Sequence, residues 1–372
     1  MKVSEDNKIK VAIAGLGRSG YHIHASVLKY SDDKYKIVSV ADELSDRLES
    51  AQKEFEVNTF TDYNSMLSAG GFDLFVNALP SHLHVQATTT ALELGNHVVS
   101  EKPMAFDTAE FDRLVEISEK CGKILAPFQN NKYQPFFTEI LDILNTGLLG
   151  EILEVRSVWG SFSRRWDWQT YQCNGGGCLF NSGPHAIDQA LHFFPFDVKP
   201  KVESTLLCRN ELGGDADDYC CIVLKAPNCP RVEITISQYI AYRPGDIYTI
   251  SGTRGGLTGN YKSLSWKYYE WQKAAPQPTW KPWSIERKYP SEELPWIEKE
   301  WKLDVEKAGK YSGYTLRSFL IGAKYIYDAL YNTIKNGTPL ASTLPEVRRQ
   351  IEILEECKRQ NPLPKRLNTW LT

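Results

Sequence analysis

The feature that most constrains this chain is Gly15-Leu16-Gly17-Arg18-Ser19-Gly20, because of what stands on either side of it. Lys10-Val11-Ala12-Ile13-Ala14 is a short apolar run with β-branched residues, the pattern of a strand buried on both faces. A helical spacing starts near Arg18 and runs through His22, Ala25, Val27 and Leu28. In a strand–turn–helix of this kind the first glycine permits the tight turn. The second lets backbone approach a pyrophosphate, and the third lets the helix pack on the strand. The pyrophosphate would face the partial positive charge of the helix N-terminus. A second strand, Tyr35 to Ala41, ends at Asp42, about 20 residues beyond the last glycine, where a partner for the adenosine ribose hydroxyls is expected. A carboxylate there repels a 2′-phosphate, so the pattern predicts NAD(H) in preference to NADP(H). A glycine-rich turn with a solvated aspartate is the plain alternative.

The first part of the chain alternates strand and helix. Helical segments are expected over Leu44–Phe55, Tyr63–Ser68, His82–Leu94 and from an Asp107 cap to Lys120. Strands are expected near Asn58–Phe60, Asp73–Ala78, His97–Ser100 and Ile124–Pro127. Such alternation predicts a mostly parallel sheet with helices on both faces. Ligands in these sheets bind beyond the carboxyl ends of the strands, where Gly15, Asp42, Leu79-Pro80 and Glu101-Lys102 all fall.

After about Phe128 the character changes. Alternating, aromatic-rich runs at Ile152–Trp159, Val202–Cys208, Tyr219–Lys225, Val232–Tyr239 and Ile247–Gly252 predict an antiparallel sheet with one covered face. Its other face, if flat and aromatic, would be a natural subunit interface, giving a homodimer or homotetramer. Helices are expected at Thr315–Asn336 and Pro345–Gln360, and Lys267–Pro295 reads as a long ordered excursion. The resulting division is 1–128 for the cofactor domain and 129–372 for substrate binding and oligomerisation.

A chain of 372 residues exceeds what one core usually serves. Its 42% hydrophobic and 24% charged content is that of a globular protein, and a net charge of −3 gives no support to nucleic-acid or membrane-surface binding. No run of 18 apolar residues and no signal peptide is read from the sequence, so a cytoplasmic location is expected. The eight cysteines lack a C-x-x-C pair and form no disulfide framework. Cys173, Cys178 and His185 match no standard zinc spacing, so no metal is expected.

The second chemical element is Gly175-Gly176-Gly177, followed by Asn181 and by His185 at the start of a helix to Phe194. If that helix starts by Ser182, Asn181 and His185, four apart, share one face, and Pro184 suits the first turn. Imidazole can take a proton from an alcohol near neutral pH. A lysine ammonium such as Lys102 can stabilise the developing alkoxide. An ordinary partly buried histidine and an N-cap asparagine are the other readings of this pair.

Several stretches carry a resemblance: Val11 to Gly17, Pro80-Ser81-His82-Leu83-His84, Gly95 to Pro103 with its Glu101-Lys102-Pro103, and the glycine-rich run through His185 and Asp188. The chain resembles the glucose–fructose oxidoreductase/inositol dehydrogenase (Gfo/Idh/MocA) family over nearly its whole length. The resemblance implies an N-terminal Rossmann dinucleotide-binding domain and a C-terminal α/β domain with an open, mostly antiparallel sheet. It also implies Lys102 and His185 as the catalytic pair, acting on a secondary alcohol or ketone of a sugar, inositol or glycoside.

Two departures from the family pattern stand out. Asn181 occupies a position where many members carry Asp, so it can position substrate or ring but cannot charge-stabilise an imidazolium. Phe128 to Tyr133 lacks an Arg, leaving Gln129, Asn131 and Lys132 as substrate candidates beside a plain linker reading. Arg165 and Trp166, within Arg164-Arg165-Trp166-Asp167-Trp168, are candidates for a wall of the cleft, and a core or interface cluster is the alternative. His84 is read either as a nicotinamide-side contact or as a packing residue. Leu16, Arg18, Ser19 and Glu101 complete the expected cofactor set. Two other functions share these features: a glycoside-cleaving enzyme with transient oxidation, and a non-catalytic NAD-binding regulator.

Overall fold

The computed structural model describes residues 7–365 except 210, 212, 243, 275–282, 284, 290, 309, 312–313 and 316–317. Six strands build the first sheet: β1 (Ile9–Ala14), β2 (Tyr35–Ala41), β3 (Asn58–Phe60), β4 (Leu74–Asn77), β5 (His97–Ser100) and β6 (Leu125–Pro127). Their order is β3-β2-β1-β4-β5-β6, and every pairing is parallel. Val11, Ala12, Ile13 and Ala14 are all fully buried, which is why this strand reads as an unbroken apolar run. The strand order reverses between β1 and β4, and the crevice at that switch point opens at Gly15 and Leu79.

The helices on this sheet are α1 (Ser26–Lys29), entered through a π-helical segment Gly20–Ala25, then α2 (Ser45–Phe55), α3 (Tyr63–Ala69), α4 (His84–Glu93) and α5 (Thr108–Cys121). Asp62 and Asp107 cap α3 and α5, each accepting a main-chain N–H three residues on at 2.8 Å.

The second unit starts with α6 (Pro135–Asn145) and β7 (Ile152–Gly160), followed by α7 (Cys178–Asn181) and α8 (Gly183–Leu191). Strands β8 (Lys201–Leu207), β9 (Tyr219–Lys225), β10 (Arg231–Ser237), β11 (Tyr248–Gly252), β12 (Gly255–Gly259), β13 (Ser263–Tyr269) and β14 (Trp296–Lys302) complete an eight-stranded sheet. All neighbours are antiparallel except β7 and β10. Phe137, Ile140, Ile187, Leu191 and Leu354 cover one face through Val155, Ile222, Ile234 and Ile250. Truncating any one of these to Ala would cost about 2–5 kcal/mol.

Near the β13–β14 edge Tyr269 meets Trp296 edge to face, so the open face mixes ion pairs with aromatics. Glu154 meets Arg231 at 2.9 Å there, and Glu203 meets Lys225 at 2.8 Å, among Thr205, Thr235 and Thr249. The Lys267–Pro295 excursion supplies part of β13 at its start, while 275–282 lie outside the described residues.

After α9 (Val305–Ala308) come α10 (Ser318–Asn336) and α11 (Leu344–Gln360). Leu320, Ala323, Ile326 and Tyr327 of α10 pack in one cluster with Ile9, Val11 and Tyr35 of the first sheet. Helix α11 serves both units: Val347 and Ile351 pack with Ala12 and Phe75, whereas Leu354 and Cys357 join the second core. The first layer is thus completed by helices from the end of the chain. Among the described residues, no helix is long and apolar enough to cross a membrane.

Candidate active site

The turn after β1 has the shape of a dinucleotide cradle. Gly15 has φ +86°, and a Cβ there would lie 2.4 Å from the Ala78 carbonyl oxygen. At Gly20 a Cβ would strike the Gly15 carbonyl at 1.7 Å, so helix and turn pack backbone to backbone. Gly17, by contrast, faces open space. Two glycines shape the fold and the middle one leaves room, which fits a pyrophosphate against Leu16, Gly17 and Arg18.

Asp42 sits at the end of β2 and is buried. Its carboxylate accepts the Leu16 N–H at 2.7 Å and the Leu44 N–H at 3.0 Å, and it pairs with Arg47 at 3.2 Å. The Arg47 side chain is 46% exposed, so this guanidinium stands at the mouth of the ribose end. Sequence reasoning missed Arg47, because an arginine in the first turns of a surface helix reads as an ordinary solvated charge.

Glu101 and Lys102 follow β5. The Glu101 carboxylate accepts from the Ser19 hydroxyl, lies 3.3 Å from His24 Nε2 and takes the Lys102 main-chain N–H at 3.1 Å. Burial alone would push this carboxyl up, but the hydrogen bond from His24, with the Lys102 charge and the Ser19 hydroxyl, holds it well below the usual carboxylate range. Burial lowers the Lys102 pKa, against the opposing pull of Glu101 and with help from Arg18 and Arg165.

The Lys102 ammonium crosses to the second unit and donates to the Asn181 carbonyl oxygen at 2.7 Å. That contact brings the end of β5 against the α7–α8 junction. Asn181 is the last residue of α7, and α8 starts afresh after Ser182, whose φ is −108°. The two residues thus stand on successive helices, Asn181 closing α7 and His185 in the first turn of α8, with Ser182 as the cap between them. Asn181 meets Lys102 through its main chain, not its side chain. Pro184 does occupy the first turn of α8.

His185 presents a buried Nδ1 with no hydrogen-bond partner among the described residues. A buried polar nitrogen left unpaired is costly, and such a nitrogen is suited to meet a ligand group. Burial, then the Lys102 charge, pushes its pKa down to about 3, so the ring stands neutral. The glycine run upstream is moulded on Asp217: a Cβ at Gly177, where φ is +102°, would lie 2.1 Å from Asp217 Oδ1. Asp217 also accepts the Leu179 N–H at 2.7 Å and so fixes the start of α7. No sequence signal pointed to it.

Other candidates fall elsewhere. His84 is buried, with Nδ1 2.7 Å from the Pro103 carbonyl and Nε2 2.8 Å from that of Leu79. Both nitrogens face main-chain oxygens, and a neutral ring donates to one of the two, so His84 is held between the turns after β4 and β5. Leu79 and Pro80 line the crevice edge through that turn. Gln129, 1% exposed, donates to Gln350 Oε1 at 2.9 Å. Lys132, 4% exposed, pairs with Glu346 at 3.1 Å and Asp188 at 3.8 Å. Burial pushes the Asp188 carboxyl up to about 7, opposed by Lys132. The Asn131 carbonyl accepts from Gln189 at 2.8 Å. Gln129 and Lys132 thus brace elements far apart in the sequence, and Asn131 does so through its main chain. Arg165 is clamped by Asp167 at 2.8 Å and also donates to Gln169, and Trp166 is 87% exposed.

With fold and site in view, comparison with known proteins identifies the group. The chain belongs to the Gfo/Idh/MocA family. The model of an oxidoreductase family with an NAD-binding Rossmann fold matches residues 9–129, and that of the GFO/IDH/MocA C-terminal domain matches 137–258. The chain is 26% identical to the scyllo-inositol 2-dehydrogenase (NADP(+)) IolW of Bacillus subtilis over 214 residues, 57% of this chain and 58% of that protein. It is 29% identical to the D-glucoside 3-dehydrogenase of Escherichia coli over 206 residues, 53% of this chain and 57% of that protein. An NAD-binding protein from Listeria innocua shares the fold with a TM-score of 0.76 at 20% identity, across 95% of this chain and 97% of that one.

Proposed function

We propose that this protein oxidises a ring secondary alcohol of a sugar, inositol or glycoside, or reduces the matching ketone. The observation that carries the reading is the Lys102–Asn181 contact at 2.7 Å, which sets the polarising lysine beside the helix start bearing His185. A bound nicotinamide would accept or return the hydride. The Lys102 ammonium holds the substrate oxygen and stabilises charge developing on it. The neutral His185 ring takes the hydroxyl proton in the oxidation direction and returns it in the reverse one. NAD(H) is the cofactor this reading favours. Leu16, Gly17, Arg18 and Asp42 would hold its phosphates and ribose, while Glu101 supports the position of Lys102. Arg165, whose charge is felt at Lys102, would form part of the wall for the sugar ring.

Support for the substrate class comes from the two dehydrogenase relatives, whose names specify an inositol and a glucoside. The test is NADH formation at 340 nm over inositols, hexoses and simple glycosides, with Lys102→Ala as control. That variant should lose turnover by about a hundredfold or more while binding NAD as before. Normal turnover in Lys102→Ala would remove Lys102 from the chemistry. Cofactor bound with no net NADH on any substrate would favour internal hydride return in glycoside cleavage, or a regulator.

A further inference from the structure

Glu101 is the hub of a buried chain that reaches far from the substrate. His24 is fully buried on the helix that follows the glycine turn. Its Nε2 faces the Glu101 carboxylate at 3.3 Å, and its Nδ1 lies 2.7 Å from the Tyr327 hydroxyl of α10. A carboxylate held ionised can only accept, so Nε2 carries the hydrogen. A neutral ring then presents Nδ1 as an acceptor, and the Tyr327 hydroxyl donates to it. Ser19 has a single hydroxyl proton, and it is given to the same Glu101 oxygen. The Lys102 main-chain N–H fills the other oxygen at 3.1 Å. Every donor in the chain thus points one way, toward Glu101. The ring of His24 packs against Phe128, with centroids 4.2 Å apart. Tyr327 in turn is seated by the Tyr35 hydroxyl, which donates to its carbonyl at 2.7 Å.

We propose that Ser19, His24 and Tyr327 are positioning residues that fix the Glu101–Lys102 step, and that Ser19 serves Glu101 instead of a cofactor phosphate. The inference rests on Lys102 being the polarising group. One segment, Ser19 to His24, meets the carboxylate directly, α10 reaches it through His24, and the carboxylate's own main-chain neighbour carries the ammonium. Losing a donor to a buried charge shifts that neighbour while leaving the cradle at Gly17 in place.

Two measurements test this. Nitrogen-15 NMR of histidine-labelled protein reads the His24 tautomer directly: the Nε2–H form is expected, and an Nδ1–H or doubly protonated ring at pH 7 would overturn the chain. Nucleotide titration and kinetics of Ser19→Ala then split the two roles of Ser19. Nucleotide affinity should change less than about threefold while kcat falls about tenfold. Affinity lost tenfold with kcat kept would make Ser19 a phosphate ligand and refute the proposal. His24→Gln, which keeps an N–H donor, should retain more kcat than His24→Leu, and equal losses would reduce His24 to packing. Should no alcohol turn over, the Lys102 reading falls by itself, and the tautomer and the Ser19→Ala affinity still decide this one.

Discussion

Lys102 is anchored to Asn181 through the backbone: its ammonium donates to the Asn181 carbonyl at 2.7 Å. A main-chain acceptor survives any ordinary substitution at that position. Asn181→Ala should therefore lower kcat by less than about fivefold, against the much larger loss in Lys102→Ala. Steady-state kinetics of the two variants on one substrate make the comparison.

Cofactor choice should hinge on Arg47 as well as Asp42. The Asp42 carboxylate is held by two main-chain N–H groups, and Arg47 offsets its charge while remaining half exposed. A guanidinium so placed can meet a 2′-phosphate. Arg47→Ala should weaken NADP binding about tenfold and NAD binding less than about threefold, read by nucleotide fluorescence titration. Equal losses for both would assign Arg47 to stability alone.

The pH profile follows from two depressed groups. His185 is pushed down to about 3, so kcat/KM for alcohol oxidation should show no acid limb near pH 6.5 from this ring. Lys102 is lowered by burial, so its ammonium, and the activity that needs it, is lost as pH rises through a value below the ordinary lysine range. Lys102→Arg should move that alkaline limb upward. An acid limb near 6.5 that vanishes in His185→Asn would contradict the burial of the ring.

Asp217 links stability to pH in the opposite sense from most carboxylates. Burial raises its pKa to about 7 from the ordinary 3.8. The stabilisation from its protonated form is complete below the unfolded value and is lost as pH rises through about 7. Relative to Asp217→Asn, the wild type should lose stability between pH 4 and 7 by roughly 1.4 kcal/mol per pH unit at most. Thermal unfolding of both proteins across that window checks the sign.

Gly177→Ala attacks the same joint sterically. The substitution needs φ +102° and places a Cβ 2.1 Å from Asp217 Oδ1. A destabilisation of about 2 kcal/mol or more is expected, with a lower melting temperature as the readout.

The first sheet was legible because strands buried on both faces, such as Val11–Ala14 and Leu74–Asn77, read as apolar runs between helical periods. The cradle and Lys102 could be placed because they lie at strand ends. The cap at Ser182 between Asn181 and His185 was legible only as a condition, because a spacing of four does not show where one helix ends and the next begins. The bracing roles of Gln129 and Lys132 were not legible because their partners, Gln350 and Glu346, lie far along the chain and give no local pattern. Strand β12, Gly255–Gly259, has three glycines and little alternation, so nothing in its sequence announced a strand. His24 and Tyr327 meet only in the folded protein.

The return of α10 to the first sheet bears on how the molecule is made. Residues 9–127 hold every strand of the cofactor sheet and leave the ribosome first, yet Tyr35 and Val11 are covered by Tyr327 and Ile326 near the far end of the chain. The nascent first layer must wait, with that flank bare, until α10 has been synthesised. Emergence of α10, not of the first 128 residues, is the moment at which the nucleotide cradle gains its full support.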